Sequence, residues 1–126
     1  MTTAIILFAH GARDPEWANP LHRVQAAIRL QAGNVPVELA FLEFMAPTLA
    51  ECAATLIAGG ARNILVVPMF IAQGGHLKRD VPEILARLRS THPEARFSLT
   101  GAIGENDAVI RAMADAALSL AGSEFA

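Results

Sequence analysis

Four short apolar runs alternate with four stretches of helical periodicity, and this alternation constrains the fold more than any other feature. The runs span residues 4–9, 36–41, 63–70 and 96–103. The first and third are nearly continuous and rich in Ile, Leu and Val, as in strands covered on both faces. The second and fourth alternate with polar residues, so we expect them nearer the sheet edges. Strict β–α alternation predicts a flavodoxin-like three-layer α/β sandwich with a four-stranded parallel sheet.

Residues typical of helix N-termini mark the start of each helical stretch. They are Asn19–Pro20, Pro47, Asp80 paired with Glu83, and Asn106. An additional turn is predicted at Asp14–Pro15, and the glycine pair Gly59–Gly60 is expected to end the second helix.

The length of 126 residues suits one domain, which we place at residues 1–122, with 123–126 as a flexible tail. A net charge of −2 gives no support for nucleic-acid binding driven by positive charge. The single cysteine, Cys52, excludes an internal disulfide, is expected in the core and favours a reducing compartment. The N-terminal apolar run is too short for a signal peptide or membrane span. We therefore expect a cytoplasmic protein with no membrane partner.

Polar residues follow every predicted strand, and ligands of open parallel sheets bind beyond the carboxyl ends of the strands. In chain order they are His10, Gly11 and Arg13, then Glu43, then Gln73, Gly74, Gly75, His76, Lys78 and Arg79, and finally Gly104, Glu105 and Asn106. Two histidines and one carboxylate thus come from three strands and are expected to converge on one edge.

Imidazole nitrogens with a carboxylate oxygen suit a divalent transition metal, and histidine also suits acid–base chemistry near neutrality. A single histidine after a strand is more often a turn residue, so the prediction rests on the convergence. The chain has no Walker A motif, no GxSxG motif and no dinucleotide fingerprint. These observations disfavour nucleotide-dependent chemistry and serine hydrolysis, but they do not identify a reaction.

Four segments resemble, in order and spacing, the signatures of the small sirohydrochlorin chelatases. These are class II chelatases of cobalamin, siroheme and nickel-tetrapyrrole biosynthesis. The segments are FAHGARDP, AFLEFMAPTLAE, VVPMFIAQGGHLKRDVPE and GAIGEND, so the similarity extends from about Ile5 to Ile110. One departure is Ala12, where the family commonly has serine. This change removes a hydroxyl that could bind substrate but removes no metal ligand.

The resemblance implies ATP-independent insertion of Co²⁺, Fe²⁺ or Ni²⁺ into sirohydrochlorin, with no permanently bound cofactor. By the same resemblance, His10 and His76 hold the incoming metal and help to remove pyrrole protons, and Glu43 is associated with the same ion. The substrate carries many carboxylates. The residues implied in binding it are Arg13, Lys78 and Arg79 at its rim, and Gln73, Gly74 and Gly75 beside the macrocycle.

Related longer chelatases hold two such domains facing each other, so a single copy implies a homodimer with facing sites. Two other functions remain open at this point. A metal-binding or metal-delivery module would use the same three ligands. A histidine phosphatase-like enzyme is less consistent with the sequence, because Ala9 stands where that chemistry needs an arginine before the histidine.

Overall fold

The computed structural model describes residues 3–125, except for the side chain of His76. The strands are β1 (Thr3–Ala9), β2 (Val37–Phe41), β3 (Asn63–Pro68) and β4 (Arg96–Leu99). The helices are α1 (Asn19–Gln31), α2 (Leu49–Ala58), α3 (Gly75–Thr91) and α4 (Asp107–Glu124). Two short 3-10 turns, Pro15–Ala18 and Ile103–Glu105, precede α1 and α4.

The four strands form one parallel sheet in the order β2-β1-β3-β4. Leu7 in β1 is paired with Leu39 of β2 and with Val67 of β3, so the apolar runs lie side by side. The alternating runs form the edge strands and the continuous runs form the centre, as their patterns predicted. The α/β fold with a parallel sheet is confirmed.

Each face of the sheet carries its own apolar cluster. One cluster packs side chains of β1 and β3, such as Ile6 and Val66, against α2 and α3. The other packs β1 and β2 against α1. Cys52 of α2 is buried in the first cluster, as expected. Burial, with a smaller effect of the Glu38 carboxylate, raises its pKa to about 12, so this thiol behaves as a core side chain.

The first two helix starts differ from the sequence prediction. Residues 15–18 form the predicted additional turn, which is a 3-10 turn capped at its N-terminus by the Asp14 side chain. Because α1 continues directly from that turn, Asn19 is its first residue and not its cap. Helix α2 begins after Thr48, whose side chain forms a capping box with Glu51, so Pro47 lies outside it. Gly59 ends α2, as predicted.

The start of α3 is the main correction. The helix begins at Gly75, so Asp80 and Glu83 lie inside it and form no capping box. Gly74 is extended and its carbonyl accepts the first helical hydrogen bond, from the Lys78 N–H at 3.1 Å. Residues 75–79, which precede the predicted start at Asp80, therefore belong to the helix. Pro82 is tolerated inside the helix although it cannot donate to the carbonyl one turn earlier.

Helix α4 starts where the sequence indicates, with the Asn106 side chain accepting a hydrogen bond from the Ala108 N–H. It continues through Glu124, two residues into the segment expected to be a tail. Within residues 3–125, no helix is long and apolar enough to cross a membrane.

Candidate active site

The loops after β1 and β2 are joined by backbone hydrogen bonds beyond the ends of the strands. The Leu42 N–H donates to the Ala9 carbonyl at 2.9 Å, and the Glu43 N–H donates to the His10 carbonyl at 3.0 Å. His10 and Glu43 therefore lie on adjacent, mutually fixed segments at the carboxyl edge of the sheet. Both residues are exposed. The structure thus brings together two of the three residues predicted to handle a metal.

Gly11 makes this close approach of the two loops possible. Its φ is +89°, in the left-handed region, and a Cβ atom there would overlap the carbonyl oxygen of Glu43. Any other residue after His10 would push the two loops apart. The His-Gly pair therefore has a local physical reason: glycine allows the histidine loop to pack against the glutamate loop.

Phe70 orients the His10 ring. The two ring centroids are 4.6 Å apart with an interplanar angle of 41°. Phe70 is buried and also contacts Phe8, with ring centroids 6.3 Å apart. One side of the imidazole therefore rests on a fixed aromatic surface, while His10 as a whole remains open to solvent. Sequence reasoning missed this role, because Phe70 reads as one more apolar residue of the third run.

His76 is the second residue of α3, but its side chain lies outside the described residues. Its pairing with His10 therefore stays a prediction. Among the side chains that are described, no three His, Cys, Asp or Glu residues form a group suited to a metal ion.

An exposed cation–aromatic pair lies beside these residues. The Arg13 guanidinium carbon is 5.0 Å from the centroid of the Phe44 ring, a cation–π distance. Phe44 follows Glu43 directly, is 57% exposed and has a φ of 67°. A left-handed backbone is uncommon for a bulky residue and costs on the order of 1–3 kcal/mol. Phe44 is thus a second residue that sequence reasoning missed, since nothing in its neighbours signals its conformation.

The remaining predicted substrate residues surround the start of α3. Lys78 and Arg79 are exposed in its first two turns, and Gln73 is half-buried just before it. A Cβ atom on Gly74 or Gly75 would meet nothing within 4 Å. Neither glycine has a positive φ, so the fold of the chain does not itself require glycine at these two positions.

The loop after β4 is fixed to the same edge. The Gly104 N–H donates to the Phe70 carbonyl at 2.9 Å, and a Cβ atom on Gly104 would overlap the backbone of Ile71. The side chain of Ile71 is exposed beside these contacts. All four strand-end loops thus meet at one edge, which presents imidazole, carboxylate, cationic and apolar groups together.

Comparison with known proteins identifies the class to which this fold and site belong. The family model described as CbiX matches residues 4–119. The chain therefore belongs to the CbiX family, and the resemblance drawn from the four motifs is confirmed.

Curated relatives carry the name of a particular activity. A sirohydrochlorin cobaltochelatase of Saccharolobus islandicus is 42% identical over 81 residues, which are 64% of this chain and 62% of the relative. A sirohydrochlorin cobaltochelatase of Methanococcus aeolicus is 38% identical over 82 residues, 65% of this chain and 57% of the relative. The match thus covers about three-fifths of the length of these relatives.

Solved structures match a larger part of this chain than the curated relatives do. A CbiX protein of Marinobacter aquaeolei VT8, provisionally assigned to cobalamin (vitamin B12) biosynthesis, superposes with a TM-score of 0.85 at 28% identity, covering 96% of this chain and 98% of that one. The sirohydrochlorin chelatase SirB of Bacillus subtilis subspecies spizizenii, in complex with cobalt, gives a TM-score of 0.75 at 30% identity. That match covers 89% of this chain and 48% of SirB.

Proposed function

We propose that this protein is a sirohydrochlorin chelatase that inserts a divalent metal ion into the tetrapyrrole without ATP. The observation that carries the proposal is the fixed apposition of exposed His10 and Glu43 at the carboxyl edge of a CbiX-family sheet. The names of the relatives favour Co²⁺ as the metal, and Fe²⁺ and Ni²⁺ are compatible with the same ligand types.

The proposed chemistry assigns separate tasks to the three metal-handling residues. Two pyrrole N–H protons leave as the metal enters, so the site must hold a cation and accept protons. Neutral imidazole of His10, with that of His76, can ligate the ion weakly enough to release it and can take up a proton. The Glu43 carboxylate offsets the charge of the ion. The exposure of His10 and Glu43 leaves both accessible to a large, flat substrate.

Substrate binding is assigned to the residues around this centre. Arg13, Lys78 and Arg79 would pair with carboxylates at the rim of the macrocycle. The open space beside Gly74 and Gly75 would let the macrocycle approach the backbone, with Gln73 at its edge. The exposed Phe44 ring offers an apolar surface for the macrocycle and holds the Arg13 guanidinium beside it.

The assembly that we propose is a homodimer in which two carboxyl edges face each other across the substrate. A single copy leaves His10 and Glu43 open on one side, and the chain covers 48% of the length of SirB. We place the protein in the cytoplasm, because its one cysteine is a free thiol and a chain without disulfides suits a reducing compartment. The names of the relatives favour siroheme or cobalamin synthesis as its pathway.

The test is a turnover assay with metal-free sirohydrochlorin and Co²⁺, in which the protein is present at one-hundredth of the substrate concentration. The tetrapyrrole absorption should change faster than in buffer, through many turnovers. Metal binding by the protein without any acceleration would contradict this function and would support the metal-delivery alternative. Parallel anaerobic assays with Fe²⁺ and Ni²⁺ rank the metals.

A further inference from the structure

The His10 imidazole is held by an aromatic contact and not by a hydrogen bond. Its ring centroid lies 4.6 Å from that of Phe70, and neither ring nitrogen has a hydrogen-bond partner among residues 3–125, leaving aside the His76 side chain. Histidines that ligate a resident metal commonly donate their second ring N–H to a carboxylate or a carbonyl, which fixes the ring and makes it a stronger ligand. His10 has a supported ring without that hydrogen bond.

Phe70 is itself fixed, as a support for another ring must be. Its side chain is 5% exposed and packs against Phe8, with ring centroids 6.3 Å apart and an interplanar angle of 59°. Its carbonyl accepts a hydrogen bond from the Gly104 N–H at 2.9 Å, and the N–H of the preceding residue, Met69, donates to the Phe8 carbonyl at 2.7 Å. Strand β1 and the loop after β4 therefore restrain Phe70 from two directions.

The buried position of Phe70 separates its ring from the substrate. The ring belongs to the apolar cluster that packs against α2 and α3, whereas His10 and Glu43 are exposed at the carboxyl edge. A flat macrocycle that approaches this edge would contact the imidazole, and the Phe70 ring behind it would stay in the core. An effect of Phe70 on metal insertion would therefore have to pass through His10.

We propose that Phe70 is a positioning residue for metal insertion, because its ring restricts the His10 imidazole to a narrow range of orientations. An exposed imidazole on a loop otherwise samples several rotamers, and each productive encounter then costs the entropy of selecting one of them. Contact with an aromatic ring lowers this cost and leaves the ring nitrogens unoccupied. The ion thus meets a ligand that is oriented in advance but not strengthened by a hydrogen-bonded partner, which suits an ion that must be passed on.

The inference deepens the proposed function and rests on it for the reaction that Phe70 serves. The contact between Phe70 and His10 can be measured on the protein alone, because an aromatic ring shifts the proton resonances of groups that lie beside it. Failure of the proposed function would appear as a wild-type protein that inserts no metal. Failure of the inference would appear as full insertion by a protein that lacks the Phe70 ring, so the two failures are distinguishable.

The first experiment is proton NMR of the imidazole resonances, with all proteins at the same pH. The chain has four histidines, and His10→Ala assigns the His10 signals by their loss. At least one ring proton of His10 should resonate outside the range of an exposed histidine. Phe70→Leu keeps an apolar side chain but lacks the ring, so the signal should return to that range. Phe70→Tyr keeps the ring and should keep the shift.

The second experiment measures Co²⁺ insertion at saturating sirohydrochlorin and, separately, the affinity for the metal-free tetrapyrrole. Phe70→Leu should lower the rate constant about tenfold at unchanged tetrapyrrole affinity, and Phe70→Tyr should recover most of the rate. The matched control is Phe97→Leu, which removes a second buried ring of the same cluster, one that lies beside His92. It should leave the rate and the His10 signals unchanged. A wild-type rate for Phe70→Leu, or His10 resonances that Phe70→Leu does not move, would overturn the proposal.

Discussion

His10 is held in place by neighbours in the loops that follow β1, β2 and β3. Gly11 allows its loop to pack against Glu43, the Glu43 N–H fixes its carbonyl, and the buried Phe70 ring supports its imidazole. The sequence predicts the position of His10 and Glu43 at one edge, because parallel strands end together. It does not predict the support from Phe70, which depends on how the ring packs, and the conformation of Phe44 leaves no signal in the pattern of residues.

The backbone conformation and the exposed ring of Phe44 should affect stability and substrate affinity separately. Because its φ is +67°, Phe44→Gly should relieve strain and raise the free energy of unfolding by about 1 kcal/mol. The same change removes the exposed ring and the support of Arg13, so affinity for metal-free sirohydrochlorin should fall about tenfold. Thermal denaturation and a fluorescence titration measure the two effects. Phe44→Leu is the control that keeps the strain. A Phe44→Gly protein with lower stability and full affinity would show that the ring has only a structural role.

A substitution at Gly75 should have opposite effects on stability and on ligand binding. Its Cβ position is open, and it is the first residue of α3, so Gly75→Ala should stabilise the protein by about 0.5–1 kcal/mol. The added methyl group should nevertheless reduce tetrapyrrole affinity, since it occupies space that we assign to the macrocycle. Gly59→Ala, at the end of α2 and away from the site, should leave that affinity unchanged. Equal affinities for the two variants would argue against contact between Gly75 and the substrate.

At the scale of elements, periodicity predicts the type and order of every strand and helix better than it predicts where they begin. The N-cap of α3 lies six residues before the predicted Asp80, because Asp80 and Glu83 fit a capping pattern that the chain does not use. Gly74 starts the helix through its backbone alone, and a backbone conformation of this kind leaves no polar signature. The consequence for function is that Lys78 and Arg79 project from a helix, with defined positions relative to Gly75.

The capping box of α2 gives an element-scale prediction. The Thr48 side chain accepts from the Glu51 N–H at 3.2 Å, so Thr48→Ala should lower the free energy of unfolding by about 1 kcal/mol at pH 7. Thr48→Ser keeps the hydroxyl and should recover most of the loss. Chemical denaturation of the three proteins measures these differences. Identical midpoints for all three would mean that the box contributes nothing to stability.

The contribution of this capping box to the stability of the native state should depend on pH. The hydrogen bond from the Thr48 backbone N–H lowers the pKa of Glu51 below its ordinary value of 4.5. A lowered folded-state pKa stabilises the native state above pH 4.5, and this stabilisation is lost as the pH falls through the folded value. The stability difference between wild type and Glu51→Gln should therefore be larger at pH 7 than at pH 3. A difference that does not change with pH would show that the charge of Glu51 is irrelevant.

At the scale of the whole molecule, the sequence predicts a parallel α/β domain and an open site, but not the uncovered α4. The helical period of Ile110, Met113 and Ala117 is the same whether the helix packs on its own sheet or on that of another copy. Only the three-dimensional arrangement shows that Ile110 and Met113 are exposed.

The most direct test of the account is the rate of Co²⁺ insertion into sirohydrochlorin by His10→Ala, compared with His22→Ala. His22 is an exposed histidine in the first turn of α1 to which no metal or substrate role is assigned, and it serves as the matched control. His10→Ala should insert the metal at least about 100-fold more slowly, with an unchanged circular dichroism spectrum, whereas His22→Ala should keep the wild-type rate. A wild-type rate of insertion in a folded His10→Ala protein would contradict the central claim.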